Sequence, residues 1–174
     1  KEVEDEHWRQ ANEDFGRFVE EHYVDWLRGE SGSPILSHRV VEEFVRPHWD
    51  ERPTYLIVLD AMRLDMWEAI QPMLREYFAI EIDFYCSVLP SATPYSRNAI
   101  FSGLLPLDIF RKHAKYWVFE ESGQNRFEED LLGELLRRLR FDRRHAFYKA
   151  PTGDDLEKTR GALLDREVRF TAVV

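Results

Sequence analysis

Two side chains in this sequence could do chemistry together: the carboxylate of Asp60 and the hydroxyl of Thr93. Asp60 ends the apolar run YLIVLD, and Thr93 precedes Pro94 in the polar stretch LPSATPYSRNAIFSG (89–103). A carboxylate at the end of a strand can hold a divalent cation or accept a proton. A hydroxyl beside a metal can ionise and attack phosphorus. The pair therefore suggests metal-assisted phosphoryl transfer.

Each of the two residues also has a purely structural explanation. Acids often cap helices, so Asp60 fits the start of the following helix as well as it fits a metal site. Proline is favoured in the first turn of a helix, which predicts Thr93 as the N-cap of PYSRNAIFSG, a role that Ser91 could also fill. The free N–H groups at such a helix start would bind phosphate. Taken alone, Thr93 is better explained as a cap.

The spacing of the two residues favours the chemical interpretation. They lie 33 residues apart, which is the span of a helix plus one strand. A right-handed crossover would bring two strand ends to the same edge of a sheet, where α/β folds bind ligands. Arg97 and Asn98 would follow on the first turn of the next helix, where Arg97 could fork onto a phosphate and Asn98 could donate an amide hydrogen bond. Both also fit an ordinary surface position.

Apolar periodicity predicts the elements that position these residues. Helices are predicted over about 7–27 and 37–45, and then over 62–78, 94–104 and 127–140, with Pro72 kinking the third and Gly103 near the end of the fourth. Strands are predicted over 54–59, 79–89, 145–150 and 168–174. The continuous apolar run of the first predicts a fully buried strand. Alternating strands and helices predict an α/β fold with a mostly parallel sheet flanked by helices, preceded by a helical pair.

Charge and cysteine content exclude several classes of function. The net charge of -9 argues against a general polyanion-binding surface. The charge is uneven, because residues 1–30 hold ten acids against four bases and residues 137–149 hold six bases against one acid. A solvated helix end explains the basic run, and contact with an anionic substrate or partner is the alternative. The single cysteine, Cys86, excludes an intrachain disulfide and a cysteine-based metal site, and its apolar surroundings predict a buried side chain.

The ends of the chain and its composition suggest where it belongs. No signal peptide or transmembrane run is recognisable, so we expect a cytoplasmic protein that does not contact membranes. The chain begins without Met and ends on the strand-like run RFTAVV, and we expect it to be a piece of a longer protein. We predict a helical segment over residues 1–52 and an α/β domain over residues 53–174.

The segments LIVLDAMRLDMW and TPYSRNAIFSGLLP resemble the PglZ domain, a branch of the alkaline phosphatase superfamily. The resemblance covers about residues 54–174 and is greatest to PglZ effector domains of response regulators of the PorX kind, whose helical linker the preceding segment resembles. In that superfamily a strand-ending Asp binds metal, and a downstream Thr or Ser is both nucleophile and metal ligand. The resemblance therefore implies metal binding by Asp60 and Thr93, nucleophilic attack by Thr93, and substrate contacts by Arg97 and Asn98.

The same resemblance implies a truncated alkaline-phosphatase-like fold with a site for two metal ions, usually zinc. Further Asp and His ligands would lie beyond Val174, and the six histidines present show no ligand spacing. We therefore expect a zinc-dependent phosphodiesterase or phosphatase in the full-length parent, with this part inactive or nearly so alone. The expected partners are a phosphodiester substrate, with nucleotides and oligonucleotides as candidates, a receiver domain in the parent chain, and a second copy in a homodimer.

A second hypothesis is a non-catalytic regulatory or interaction module on the same fold. Trp8, Trp26 and Trp49 would then face a partner, whereas the competing explanation is that they pack against the α/β domain. The metal content of the full-length protein distinguishes the enzyme from the module. A Rossmann-type nucleotide-binding domain is excluded, because LDAMRLD has no glycine for close approach of a phosphate.

Overall fold

The computed structural model describes residues 2–119 and 123–174, and these contain six α-helices and a three-stranded parallel sheet. The helices are α1 (Glu2–Arg28), α2 (Leu64–Leu74), α3 (Thr93–Ser102), α4 (Pro106–Lys112), α5 (Glu128–Arg138) and α6 (Gly153–Leu163). The strands are β1 (Thr54–Ile57), β2 (His145–Tyr148) and β3 (Phe170–Val173). The predicted α/β fold with a parallel sheet flanked by helices is confirmed. Within the described residues, no helix has the length and apolar character needed to span a bilayer.

The sheet has the strand order β1-β3-β2, with both neighbouring pairs parallel. In this register Val173 of β3 lies opposite Ile57 of β1 and Tyr148 of β2. All four residues of β3 are buried, so the central strand is covered on both faces, as expected for a parallel sheet with helical layers. The carboxyl ends of β1 and β2 therefore lie at the same edge of the sheet, with the end of β3 between them.

Strand β1 occupies the predicted position, but it is not the fully buried strand that its apolar run predicts. It is an edge strand in which exposure alternates: Tyr55 is 48% and Ile57 is 63% exposed, whereas Leu56 packs against the core. A continuous apolar run indicates an extended segment, but it does not show which of its faces will be covered.

Residues 79–89 form no regular strand, so the second predicted strand is wrong. Within the described residues this segment makes a single bridge, between Cys86 and Leu36, in which the N–H of Cys86 donates to the carbonyl oxygen of Ile35 over 2.8 Å. Strand β3 takes the position beside β1 instead. Apolar alternation favours extended backbone, but tertiary context selects the strand with which it pairs. Cys86 is half-buried rather than buried.

The first predicted helix is confirmed as α1, which is somewhat longer than the sequence indicates. The second is instead a series of helical turns: a 3-10 turn over Ser37–Arg39, a π turn over Val41–Val45 and a 3-10 turn over Arg46–His48. Pro47 lacks an N–H group, which accounts for the loss of regular α-helical hydrogen bonding at the end of this segment. The predicted boundary between residues 52 and 53 stays a prediction.

The tryptophans of the helical part have different environments. Trp49 is buried and packs on Phe141, with ring centroids 4.8 Å apart, and on Phe170 of the central strand. Trp26 packs against a small cluster around Leu36. Trp8 is 72% exposed. Packing against the α/β core is therefore correct for Trp49 and wrong for Trp8.

Packing of α3 on α5 fixes the helix that carries the candidate nucleophile. Phe101 of α3 and Leu131 and Leu135 of α5 are buried in one core cluster with Phe170 of β3. Gly103 ends α3 with φ of 61°, as predicted, and an added Cβ there would lie 2.5 Å from Cδ1 of Leu135. The predicted helices over 62–78, 94–104 and 127–140 correspond to α2, α3 and α5, with Pro72 inside α2. Helices α4 and α6 are additional elements.

Candidate active site

Asp60 lies three residues beyond the end of β1, at the carboxyl edge of the sheet. Its Oδ1 accepts a hydrogen bond from the N–H of Ala61 over 2.9 Å, and Ala61 adopts a left-handed φ of 54°. This tight turn directs the other carboxylate oxygen, Oδ2, toward α3. Helix α2 begins later and has Arg63 as its N-cap, so Asp60 does not cap that helix.

Thr93 is the first residue of α3, and its hydroxyl contacts Asp60. The N-cap is Ala92, with φ -62° and ψ 143°, so the predicted N-cap position of Thr93 is wrong by one residue. No side chain caps this helix, and Oγ1 of Thr93 instead donates to Oδ2 of Asp60 over 3.3 Å. The contact joins the two residues that the sequence singles out, although the segment between them contains no regular strand.

Arg97 lies one turn further along α3 and joins the same cluster. Its Nη1 donates to Oδ2 of Asp60 over 3.2 Å, while Nε and Nη2 form a two-pronged pair with Glu128 at 2.8 and 2.7 Å. Burial by itself lowers the pKa of Arg97, but the hydrogen bonds and charge of Glu128, and then those of Asp60, outweigh burial and raise the pKa above its ordinary value. Arg97 is therefore a permanent cation beside Asp60 and Thr93.

Asn98 is buried and makes its hydrogen bonds elsewhere. Its Nδ2 donates to the carbonyl oxygen of Gln124 over 3.2 Å, and its Oδ1 accepts from Nδ2 of Asn125 over 3.4 Å. These bonds hold the segment before α5 against α3. The structure thus brings Asp60, Thr93 and Arg97 into one hydrogen-bonded group, and it connects Asn98 to that group through Asn125. A substrate contact by Asn98 stays a prediction.

Sequence reasoning gives no role in the site to three residues of the cluster: Asn125, Glu128 and Lys149. Glu128 begins α5 with no exposed surface, and its Oε2 lies 3.0 Å from Nζ of Lys149. Asn125 donates from Nδ2 to Oε1 of Glu128 over 3.0 Å. A glutamate in the first turn of a helix has an ordinary explanation in the helix dipole, so nothing in the sequence marks Glu128 as buried. Lys149 carried a usable signal, because it lies near the end of a predicted strand, as Asp60 does.

The basic run 137–149 divides into structural residues and one site residue. Arg143 donates to the carbonyl oxygen of Trp49 over 3.1 Å, and Arg144 pairs with Glu167 at 2.9 Å. Arg137 is exposed and pairs with Glu134 on the same helix. Lys149, the last residue of the run, reaches the site. A solvated helix end therefore explains the beginning of the run, at Arg137. Contact with an anion stays a prediction for its last residue, Lys149.

Two open grooves meet at Lys149. One contains Asp60 and Arg97, and the other contains Thr93. The first is lined by Val58, Leu59, Asp60, Arg97, Lys149, Ala150, Pro151 and Val174. The second is lined by Thr93, Pro94, Gly123, Gln124, Asn125, Arg126 and Lys149. A bound molecule could therefore contact the candidate nucleophile and both cations.

A family model described as the BREX system PglZ alkaline phosphatase-like domain matches residues 37–156, which is more than half of the chain. The chain belongs to the PglZ family. The match contains Asp60, Thr93, Arg97, Glu128 and Lys149, and the central strand β3 follows it. A search of curated protein sequences finds no significant match. Membership in this alkaline phosphatase-like family suggests hydrolase activity of the metal-dependent phosphoesterase type.

Within the residues described, Asp60 and Thr93 are placed so that they could supply two ligands to a metal ion. Asp60 Oδ2 and Thr93 Oγ1 are oxygen donors 3.3 Å apart, close enough for both to reach one ion at the usual zinc–oxygen distance of about 2.0–2.2 Å. Catalytic zinc sites ordinarily have three protein ligands, and over residues 2–119 and 123–174 no group of three or more His, Cys, Asp or Glu could hold a metal. The two residues therefore fit as two ligands of a larger set.

Proposed function

We propose that this chain carries one part of the active site of a metal-dependent phosphodiesterase, in which Thr93 is the nucleophile. The observation that carries the proposal is the convergence on Oδ2 of Asp60, which accepts from Thr93 Oγ1 over 3.3 Å and from Arg97 Nη1 over 3.2 Å. A hydroxyl, a carboxylate and a fixed cation in contact are the groups that phosphoryl transfer to a protein side chain requires.

Thr93 would attack the phosphorus of a bound diester through Oγ1. A new bond forms between Oγ1 and phosphorus, the bond to the leaving alcohol breaks, and water later hydrolyses the phosphothreonine and restores the hydroxyl. Asp60 orients the hydroxyl by accepting its hydrogen bond before attack. The free N–H groups in the first turn of α3 would interact favourably with a phosphoryl group bound at Thr93.

Asp60 and Thr93 would hold one divalent ion, which we propose to be zinc, as two of its ligands. When bound, such an ion lowers the pKa of a coordinated hydroxyl and neutralises negative charge that develops during the reaction. The carboxylate of Asp60 is half exposed, so an ion and its remaining ligands have access to it. In this proposal Arg97 exchanges part of its contact with Asp60 for a phosphoryl oxygen of the substrate.

Arg97 suits the stabilisation of a phosphoryl group for two reasons. Its raised pKa keeps it charged at every working pH, and its guanidinium is a planar fork that matches phosphate geometry. Its anchor on Glu128 fixes the fork before substrate arrives, so little ordering is needed during the reaction. Asn98 is retained in the proposal as a more distant substrate contact.

The wider role that we propose is that of the effector domain of a two-component response regulator, with a receiver domain in the same parent chain and nucleotides or oligonucleotides as candidate substrates. Helix α1 supports a linking or dimerising role, since it is 27 residues long and exposes Trp8, Phe15 and Val24. A protein working in this context would be cytoplasmic. Sedimentation equilibrium of the full-length protein and of a Trp8→Glu, Phe15→Glu variant tests the homodimer, which should dissociate in the variant.

The proposal is tested on the full-length protein by measuring zinc by elemental analysis and hydrolysis of bis-p-nitrophenyl phosphate. Thr93→Ala should reduce turnover at least about 10³-fold, since it removes the nucleophile. The matched control is Ser96→Ala, because the hydroxyl of Ser96 lies on the same helix and bonds the backbone oxygens of Ser91 and Ala92. About two zinc ions per chain together with loss of activity in Thr93→Ala alone support the enzyme. Little zinc and equal turnover in both variants would leave the non-catalytic interaction module.

A further inference from the structure

The carboxylate of Glu128 is held by three hydrogen bonds and one further ion pair. Its Oε1 accepts from Arg97 Nε over 2.8 Å and from Asn125 Nδ2 over 3.0 Å. Its Oε2 accepts from Arg97 Nη2 over 2.7 Å and lies 3.0 Å from Nζ of Lys149. An ionised carboxylate offers about four lone-pair sites; three of them accept hydrogen bonds here, and the ammonium of Lys149 lies beside Oε2. Glu128 is also completely buried, so it serves to hold its neighbours and does not meet a ligand itself.

The two cations that Glu128 holds keep donors to spare. Arg97 has five N–H donors, of which two contact Glu128 and one contacts Asp60. Lys149 has three donors, of which one contacts Glu128 and one the carbonyl oxygen of Asn125 over 2.5 Å. Within the described parts of the chain, two donors of Arg97 and one of Lys149 thus remain for another acceptor.

The spare donors lie where a substrate of the proposed reaction would bind. Lys149 directly follows β2 and Asp60 lies three residues beyond β1, so both residues lie at the same edge of the sheet, on either side of β3. Lys149 lines both the groove with Asp60 and Arg97 and the groove with Thr93. Its side chain is 42% exposed and so reaches solvent, whereas that of Arg97 is 16% exposed.

We propose that Lys149 binds a non-bridging phosphoryl oxygen of the substrate beside Arg97, and that Glu128 is the positioning residue that holds both cations in place. The inference rests on the proposed phosphoesterase function for the identity of the ligand. Glu128 bridges two positive charges that would otherwise repel each other, and both cations line the groove that contains Asp60. A phosphoryl group has the charge and the acceptor oxygens that this pair of cations requires.

Calorimetric titration of inorganic phosphate into the full-length, zinc-loaded protein tests the inference without relying on turnover. Lys149→Met should weaken phosphate binding about tenfold or more, because it removes one charge-assisted hydrogen bond. Lys149→Arg should restore most of the affinity. Glu128→Gln should weaken binding at least as strongly as Lys149→Met, because its amide donors would face Arg97 and Lys149. Lys112→Met, which alters an exposed lysine on α4, should bind phosphate as the wild type does.

Several results would overturn the inference. One is a wild-type protein that does not bind phosphate, and another is unchanged affinity in Lys149→Met. Thermal unfolding of each variant shows whether Glu128→Gln is folded. If Glu128→Gln does not fold, the glutamate has a structural role only. The Lys149 variants then still decide the role of the lysine, because Lys149 is partly exposed and its replacement should not unfold the protein. Unchanged phosphate affinity in a folded Glu128→Gln variant would remove the positioning role.

Turnover of bis-p-nitrophenyl phosphate in the same preparations separates this inference from the proposed function. If no preparation turns over but phosphate binding still depends on Lys149, the catalytic proposal fails and the anion site stands. If the wild type turns over and Lys149→Met keeps the same kcat and KM, the catalytic proposal stands and the role of Lys149 fails. A lower kcat/KM in Lys149→Met, largely restored in Lys149→Arg, supports both.

Discussion

Arg97 and Glu128 form a two-pronged ion pair between α3 and α5, with Nε–Oε1 and Nη2–Oε2 distances of 2.8 and 2.7 Å. The pair links the helix that begins with Thr93 to the amphipathic helix whose leucines form the core. A planar guanidinium held at two points cannot rotate freely, so its remaining donors keep a fixed direction. The geometry of the candidate site is thus tied to the packing of the core.

Replacing Glu128 by Ala should destabilise the protein strongly. The change leaves Arg97, with its largely buried side chain, without its main partner, and breaking a buried pair in this way costs about 3–5 kcal/mol. Urea denaturation followed by circular dichroism measures the free energy of unfolding. Glu134→Ala on the same helix is the control, because Glu134 pairs with the exposed Arg137 and its loss should barely move the midpoint. Equal effects of the two variants would contradict the importance of the buried pair.

Gly103→Ala should also destabilise the protein, by roughly 1–3 kcal/mol. Gly103 has φ of 61°, and a Cβ would meet Cδ1 of Leu135 at 2.5 Å. Gly133→Ala is the matched control, since Gly133 lies within α5 and a Cβ there would have no neighbour within 4 Å. Because glycine is unfavourable inside a helix, that change should stabilise by about 0.5–1 kcal/mol. Thermal unfolding that moves in the same direction for both variants would contradict the close contact at Gly103.

Local sequence signals account for much of the fold. The apolar spacing of α1 and α5, the proline and glycine that bracket α3, and the apolar run of β3 are each encoded within a short segment. The order of the strands is not encoded in this way. Residues 79–89 have the alternation of a strand, but β3 pairs with both β1 and β2 and fills the centre of the sheet. Pairing of distant segments depends on the whole chain, which a local pattern does not describe.

In the candidate site, too, local sequence signals identify some residues, and only the packed structure identifies others. Asp60 and Thr93 are identifiable because a strand end and a following proline mark their positions, and Arg97 follows from helical spacing. Glu128 is not identifiable, because an acid at a helix start is ordinary and only the packed structure shows that it is buried beneath Arg97. Asp60, Thr93 and Arg97, which we propose to meet the ligand, are therefore marked by local sequence signals, whereas Glu128, which holds Arg97, is marked only by tertiary contacts.

Asp60→Asn should reduce the zinc content of the full-length protein and its hydrolysis of bis-p-nitrophenyl phosphate together. The amide lacks the negative charge of the carboxylate that we propose as a metal ligand, and it leaves Arg97 without one of its two acidic partners. Elemental analysis and turnover are measured on the same sample. Asp65→Asn is the control, since Asp65 pairs with Arg63 at the start of α2 and lies outside the grooves described. Full zinc content in Asp60→Asn would remove Asp60 from the ligand set.

Acidification should destabilise the fold through His38. Burial, and then the nearby charge of Arg39, lower the pKa of His38 below its ordinary value of 6.5, and Asp108 and Glu42 oppose this only in part. The unfolded chain therefore takes up this proton more readily than the folded one. The contribution to stability is present above about pH 6.5 and is lost as the pH falls from there toward the lowered pKa.

The measurement is the free energy of unfolding by urea between pH 7.5 and 5.5, for the wild type and for His38→Gln. The wild type should lose stability across this interval, and the variant should lose less, because its side chain does not titrate. In the described residues Nδ1 of His38 is buried without a hydrogen-bond partner, so the variant need not be much less stable at pH 7.5. Parallel pH dependences for the two proteins would show that protonation of His38 is not coupled to folding.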